Sequence, residues 1–249
     1  MRNIGAQLYT VRNTLTTNEE IQRTLQAIKE IRYDSVQLFG SAEFAEKCAA
    51  VATEEGLLIS GILSDLDKCE EEAERYFEVC EKFGIKGLGI SAFYTTLSDA
   101  LRFIQRANFF AEKVKAKGLT FSYHNHASEF IKASDGKTIM EHYIEGFDKE
   151  LIDFMPDTFW VHSGGFDVRR FIEITDGRVK ILHLKDMKRT KEGQKFAEIG
   201  NGNLYFEGII KLALDCGINE FVVEQDECDG DPLLSLKQSY DYIKTLNLI

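Results

Sequence analysis

Eight short runs rich in β-branched and aromatic residues alternate with longer segments of helical period along the whole chain. The runs span residues 4–9, 34–39, 57–63, 86–93, 119–125, 152–158, 179–185 and 220–225. Strands that alternate with helices are typical of parallel sheets built from β-α-β units. Because no linker rich in Pro, Gly or Ser divides the 249 residues, the pattern predicts one domain, residues 1–249, folded as a closed (β/α)8 TIM barrel of the α/β class.

The segments between the runs carry apolar side chains at helical spacing. In residues 18–32, Ile21, Leu25 and Ile28 recur every three or four positions and form one stripe. The same period predicts helices at 66–83, 97–117, 137–147, 167–176, 204–215 and 232–246. Glycines at 56, 84, 118 and 217 follow helical stretches and are expected to end them in the left-handed conformation. A doubly wound open sheet is the alternative, but the GxGxxG turn of that fold is absent after the first run.

Composition excludes several partners. The net charge is −11, with 41 acidic against 30 basic residues, so the chain is expected to repel a phosphate backbone and not to bind nucleic acid. No apolar run approaches the roughly 20 residues of a membrane span, and the first residues lack a signal-peptide pattern, which predicts a cytoplasmic protein without a membrane partner. Five cysteines without a CxxC pair are expected to be packing residues.

Polar side chains with metal-binding or acid–base chemistry follow four strands in succession. They are His124, His126 and Glu129 after the fifth strand, Asp157 after the sixth, His183 and Lys185 after the seventh, and Glu224 after the eighth. Active sites of TIM barrels lie at the carboxyl ends of the strands. Residues two apart on a strand share a face, so both members of each pair are expected to point into the barrel mouth.

His124, Asp157, His183 and Glu224 therefore present a mixed imidazole and carboxylate set. Such a set suits Mn²⁺, Co²⁺, Zn²⁺ or Fe²⁺ better than Mg²⁺, which prefers oxygen ligands. Each acid also has a structural alternative: Asp157 can cap a helix, and Glu224 can pair with a lysine. Since Asp167 is the better cap for the next predicted helix, Asp157 is expected to be free for the site.

Six motifs in order along the chain resemble one known group of proteins. They are GAQLYTVR (5–12), YHNHxxEF (123–130), DTFWVHSGG (157–165), HLKDM (183–187), EIGNGNLYF (198–206) and VVEQD (222–226). They are similar to the sugar phosphate isomerase/epimerase group of xylose-isomerase-like TIM barrels. This group includes inosose dehydratases, inosose isomerases, ketose 3-epimerases and 3-keto-glycoside hydratases. The resemblance covers nearly the whole chain; it is specific for the superfamily and weak for the substrate.

The resemblance implies a divalent metal, one of Mn, Co, Zn, Fe or Mg, with one ligand from each of the last four strands. Asp157, His183 and Glu224 match the last three ligands of the group. Many members have Glu where this chain has His124, so His126 or Glu129 are alternative ligands. Two further departures are Gln37, in place of an acid, and Trp160, where ketose epimerases often have histidine.

The resemblance further implies an isomerase, epimerase or dehydratase that acts on a small sugar, keto-sugar or inosose through a metal-stabilised enediolate. Glu129 is the expected base, with His126 as its competitor, and Lys185, with a lowered pKa, is the expected proton donor. Gln7, Tyr9 and Trp160 are expected to bind the substrate. The turn Gly200-Asn201-Gly202 either closes over the substrate or is an ordinary surface turn.

Two other functions stay open at this point. A sugar-binding barrel without turnover would follow if His124 weakens metal binding. A DNA repair enzyme like endonuclease IV would need several metals and a basic groove, which five histidines and a net charge of −11 do not favour. The expected partner is a small sugar or polyol, and a homo-oligomer is left open.

Overall fold

A computed structural model describes residues 2–249 and shows a barrel of parallel strands surrounded by helices. The barrel strands are β1 (Asn3–Gln7), β2 (Ser35–Phe39), β3 (Leu58–Asp65), β4 (Gly87–Ser91), β5 (Thr120–His124), β6 (Ile152–Met155), β7 (Ile181–Leu184) and β10 (Glu220–Val223). Two further strands, β8 (Asp186–Thr190) and β9 (Gly193–Ala197), form a separate antiparallel hairpin. The order β6-β5-β4-β3-β2-β1-β10-β7 confirms the predicted barrel, and each predicted strand overlaps an observed one.

The barrel closes at a seam between β6 and β7. These strands are joined by two isolated bridges, Phe154 with Val179 and Asp157 with His183, instead of a continuous ladder. The His183 N–H donates to the carbonyl oxygen of Pro156 at 2.9 Å. The seam therefore places two of the predicted metal ligands directly opposite each other.

The helices cover the outside of the barrel. They are α1 (Asn18–Ile31), α2 (Ala42–Glu54), α3 (Leu66–Glu71), α4 (Ala73–Phe83), α5 (Leu97–Ala116), α6 (Ile139–Gly146), α7 (Thr158–Ser163), α8 (Val168–Ile174), α9 (Phe206–Asp215) and α10 (Pro232–Thr245), with short 3-10 helices at Leu8–Thr14 and Ser128–Phe130. The glycines at 56, 84, 118 and 217 all have positive φ, as predicted for helix ends. Among the described residues, none of these helices is both long and apolar enough to cross a membrane.

Two features of this helical layer differ from the prediction. Helix α2 was predicted only through its end at Gly56, and its bounds were not, because its alanine-rich sequence gives a weak apolar stripe. The predicted helix 66–83 is broken at Glu72, whose backbone leaves the helical conformation. The cysteines in this layer, Cys48, Cys69 and Cys80, are buried as expected of packing residues.

The inside of the barrel is built in levels. At the bottom, Asn3 and Ser35 donate hydrogen bonds to the Glu220 carboxylate at 2.7 and 3.0 Å. Above them, Met155, Ile181 and Val222 form a small apolar cluster separate from the core between strands and helices. The apolar level separates the half-buried Glu220 at the bottom from the polar residues at the carboxyl ends of the strands.

The Gly200-Asn201-Gly202 turn wraps a buried carboxylate. The backbone N–H groups of Gly200 and Gly202 both donate to Oδ2 of Asp186 at 3.0 Å, and those of Met187 and Leu204 donate to Oδ1. A Cβ atom at position 202 would lie 2.3 Å from Asp186 Oδ1. These contacts favour the structural alternative for the turn, since it fixes the start of the β8–β9 hairpin.

Replacing Gly202 by Ala should therefore destabilise the fold. The added methyl group must displace the Asp186 carboxylate, and such overpacking lowers the free energy of unfolding by about 1–3 kcal/mol. Gly230→Ala is the matched control, because a Cβ atom there meets nothing within 4 Å. Chemical denaturation checks both variants; equal stability of the two would contradict this account of the turn.

Candidate metal centre and cavity

Four buried side chains converge at the carboxyl ends of β5, β6, β7 and β10. They are His124, Asp157, His183 and Glu224, and one donor atom of each lies within 4.8 Å of those of the other three. His183 Nδ1 lies 2.8 Å from Glu224 Oε2, and His124 Nε2 lies 3.4 Å from Asp157 Oδ2 and 3.7 Å from Glu224 Oε2. These three separations allow both atoms of each pair to reach one ion at about 2.0–2.3 Å.

The protonation chemistry of His124 also fits a metal ligand. Both of its ring nitrogens are buried without a hydrogen-bond partner among the described residues. Burial, helped by the neighbouring His183, lowers the pKa of His124 and favours the neutral ring that metals bind. An unsatisfied buried polar group is costly, so an ion would supply the missing partner.

His183 is oriented by a hydrogen bond to Gln37. Its Nε2–H donates to Gln37 Oε1 at 2.8 Å, and the same oxygen accepts from Gln7 Nε2 at 2.5 Å. The Gln7 amide is fixed in turn, since its Oε1 accepts from the Tyr9 backbone N–H at 3.1 Å. Placing the proton on Nε2 leaves the Nδ1 lone pair facing the other ligands, as in many metal sites.

Asp157 is shared between a helix and the site. Its Oδ1 accepts from the Trp160 N–H at 3.0 Å and caps α7, so the expectation that Asp157 does not cap a helix was wrong. The short helix α7 begins directly after β6, ahead of the helix capped by Asp167. The other oxygen, Oδ2, remains for the site, and the backbone N–H of Asp157 is held by Asn125 Oδ1 at 3.0 Å.

Lys185 lies at the centre of the acidic groups. Its Nζ is 2.9 Å from Asp157 Oδ2, 3.2 Å from Glu224 Oε2 and 2.8 Å from Asp226 Oδ1. Burial alone lowers the pKa of Lys185, but the three carboxylates outweigh it and hold that pKa above its ordinary value. This is the pKa in the metal-free protein; the expected lowering was for a lysine beside a bound cation and stays a prediction. The Glu224–Lys185 pair, expected as the structural alternative for Glu224, is present.

Asp226 was not singled out from the sequence. It lies two residues after Glu224, so strand alternation could have placed it on the same face. It lines the cavity, and burial together with nearby Glu224 outweighs the Lys185 ammonium and raises the pKa of Asp226 to about 6.

Glu129 lies behind the site, whereas His126 faces the cavity. The Glu129 carboxylate is fully buried and accepts from the Tyr123 hydroxyl at 2.6 Å and from the His126 N–H and Ser128 hydroxyl at 2.8 Å. Burial raises the pKa of Glu129. His126 lines the cavity, and its ring centroid is 4.1 Å from that of Phe93. The buried position of Glu129 does not favour it as a base. Its hydrogen bond from the His126 N–H indicates that Glu129 anchors His126.

A cavity of about 360 Å³ opens above the four ligands. Its walls include Gln7, Tyr9, Phe39, Phe93, His126 and Trp160. The three residues expected to bind substrate, Gln7, Tyr9 and Trp160, thus all line it. Aromatic faces beside polar groups are suited to a small ligand that carries both C–H and O–H groups.

A family model described as xylose isomerase-like TIM barrel matches residues 25–246. The chain belongs to this family. Its members are sugar isomerases, epimerases and dehydratases, so the resemblance inferred from the motifs is confirmed.

Relatives and solved structures agree with this family. An inosose dehydratase of Mesomycoplasma hyopneumoniae is 24% identical over 176 residues, which cover 61% of this chain and 56% of that protein. The match thus spans just over half the length of this curated relative. A sugar phosphate isomerase/epimerase from Parabacteroides distasonis has a TM-score of 0.82 at 20% identity, covering 98% of this chain and 93% of that one. The 3-keto-D-glucoside 4-epimerase of E. coli has a TM-score of 0.77 at 16% identity, covering 98% and 100%. Likeness at these identities establishes a shared fold.

Gln37 offers a test of the metal centre. Gln37→Leu removes the acceptor that orients His183, and loss of such an outer hydrogen bond lowers metal affinity by about 10–100-fold. Gln37→Glu keeps an acceptor at the same place and adds a negative charge, so it should bind Mn²⁺ at least as tightly as the wild type. Calorimetric titration with Mn²⁺ measures both; an unchanged affinity in Gln37→Leu would show that Gln37 does not orient a ligand.

Proposed function

We propose that this chain is a divalent-metal-dependent isomerase, epimerase or dehydratase acting on a small keto-sugar or inosose. The convergence of His124, Asp157, His183 and Glu224 beneath an aromatic-lined cavity carries the proposal. Membership in a family of sugar isomerases, epimerases and dehydratases supports it.

These four residues would hold the ion. When bound, it would act as a Lewis acid that polarises the carbonyl of a substrate lying in the cavity. The orphaned ring of His124 and the oriented ring of His183 support this assignment. The fourth ligand, left open by the sequence, is thus proposed to be His124 rather than His126 or Glu129.

One residue of the cavity wall would take a proton from the substrate, and another would stabilise the negative charge that develops. His126, on the β5 side, is proposed to take the proton from the carbon next to the carbonyl. Lys185, fixed by Asp226, would donate a hydrogen bond to the oxygen that gains negative charge. His126 reaches the cavity from the end of β5 and Lys185 from the end of β7, so the two would contact different parts of one substrate.

The charged side chains that line the cavity favour an uncharged substrate. Both lysines that line the cavity are already paired with acids: Lys68 with Asp65 at 3.3 Å, and Lys185 with three carboxylates. A phosphate group would have to displace these acids before it gained a cation. Inososes and keto-glucosides, which the names of similar proteins mention, are neutral and are the first substrates to test.

Metal removal tests the proposed function. Chelator-treated protein should lose turnover of an inosose, keto-glucoside and ketose panel, and Mn²⁺ should restore it. Asp157→Asn and Glu224→Gln keep the side-chain shape but remove a charged ligand, so both should bind Mn²⁺ much more weakly while remaining folded. Full activity after metal removal, or equal metal content in all three proteins, would contradict the proposal.

A sugar-binding barrel without turnover is the second candidate, favoured by the Lys185 ammonium between two ligand carboxylates. Trp160, the chain's one tryptophan, lines the cavity, so its fluorescence reports binding directly. A fluorescence change with a neutral sugar, but no turnover at saturating Mn²⁺, would establish this second function.

The base can be identified by exchange of the substrate α-proton with solvent. His126→Gln should slow exchange by at least about 10²-fold, the usual scale for a general base. Glu129→Gln should slow it about tenfold or less, because Glu129 only anchors His126. Trp160 fluorescence confirms that both variants still bind substrate. Exchange that is lost in Glu129→Gln and kept in His126→Gln would return the role of base to Glu129.

A further inference from the structure

The Lys185 ammonium uses the same oxygen atoms as the proposed metal site. Its Nζ lies 2.9 Å from Asp157 Oδ2 and 3.2 Å from Glu224 Oε2. These are the carboxylate atoms that also lie nearest to the His124 ring, at 3.4 and 3.7 Å from Nε2. Lys185 is therefore a cation held within the ligand set itself.

An ammonium and a divalent ion repel each other when both lie among these four ligands. Two cations repel strongly when water is excluded, and Lys185 is 1% exposed while both carboxylates are buried. The two imidazoles add no negative charge to the donor set. Asp157 and Glu224 are thus the charged ligands for which both cations compete.

Asp226 already contacts the same ammonium from outside the four ligands. Its Oδ1 lies 2.8 Å from Nζ, and its side chain is 20% exposed at the cavity wall, outside the four ligands. The rings of Trp160 and Phe196 lie 5.4 and 5.9 Å from Nζ and can also stabilise a cation. The ammonium can therefore stay paired after it leaves Asp157 and Glu224.

We propose that Lys185 is a built-in competitor of the metal ion, and that Asp226 receives its ammonium when the ion binds. This inference rests on the metal site of the proposed function. Lys185 then determines metal affinity: it compensates the buried carboxylates in the metal-free protein and moves toward Asp226 in the loaded protein.

Mn²⁺ titration of the metal-free protein by calorimetry tests this inference. Lys185→Met should bind Mn²⁺ at least about tenfold more tightly than wild type, because the competing cation is gone. Asp226→Asn should bind severalfold more weakly, because the ammonium then has only the ligand carboxylates. Lys188→Met removes the same charge from a lysine paired with Asp229 on the hairpin and should bind like wild type.

A double variant separates the transfer of Lys185 from simple attraction by the Asp226 charge. If Asp226 acts by receiving Lys185, the Asp226→Asn effect should shrink when Lys185 is already Met. Weaker binding by Lys185→Met, or an undiminished Asp226→Asn effect in the double variant, overturns the inference. If wild type and every variant fail to bind Mn²⁺, the proposed metal site itself is wrong.

Folding of the lysine variant supplies a further readout. Circular dichroism of metal-free Lys185→Met should show lower thermal stability than wild type, and saturating Mn²⁺ should restore it. Should metal-free Lys185→Met be unfolded, recovery of its native spectrum with Mn²⁺ supports the competition. No recovery, in this variant and in Lys185→Gln, overturns it.

Discussion

The burial of Asp157 and Glu224 at the ends of apolar strands is the constraint on which the barrel mouth depends. An isolated carboxylate is too costly to bury, so each must be paired, hydrogen-bonded or bound to an ion. Lys185 supplies much of that compensation within the described chain, and together with the neighbouring histidines it outweighs burial and lowers the pKa of both acids. Asn125, Thr158 and Gln37 position Asp157, Lys185 and His183, respectively, through hydrogen bonds.

The seam between β6 and β7 shows how side chains replace a missing ladder. The Thr158 hydroxyl donates to the backbone carbonyl of Lys185 at 2.8 Å and accepts from the backbone N–H of Lys185 at 2.9 Å. On the other side, Asn125 holds the backbone of Asp157. The bonds that close the barrel are thus the bonds that fix the site, so changes at Thr158 or Asn125 would affect stability and ligand geometry together.

Periodicity was sufficient to predict the eight strands and the side on which the candidate ligands meet. Strand alternation depends only on local geometry, so the inward orientation of His124 and His126 follows from their spacing. What sequence could not provide was the balance of opposing effects. The pKa of Lys185 depends on three acids from two separate segments. The cap formed by Asp157 depends on a helix too short to show a period. Glu129 shares a motif with His126, yet its side chain turns away from the cavity to hydrogen-bond Tyr123.

Two departures from the family pattern have a common electrostatic consequence. The motif resemblance implies an acid at two positions where this chain has His124 and, beside His183, Gln37. Each change removes a potential negative charge from the upper level of the barrel. With fewer acids, one ammonium compensates much of the remaining charge before any ion binds. Ion binding must then depend on the orientation of the two imidazoles as well as on charge, and this gives the Gln7–Gln37–His183 hydrogen bonds their importance.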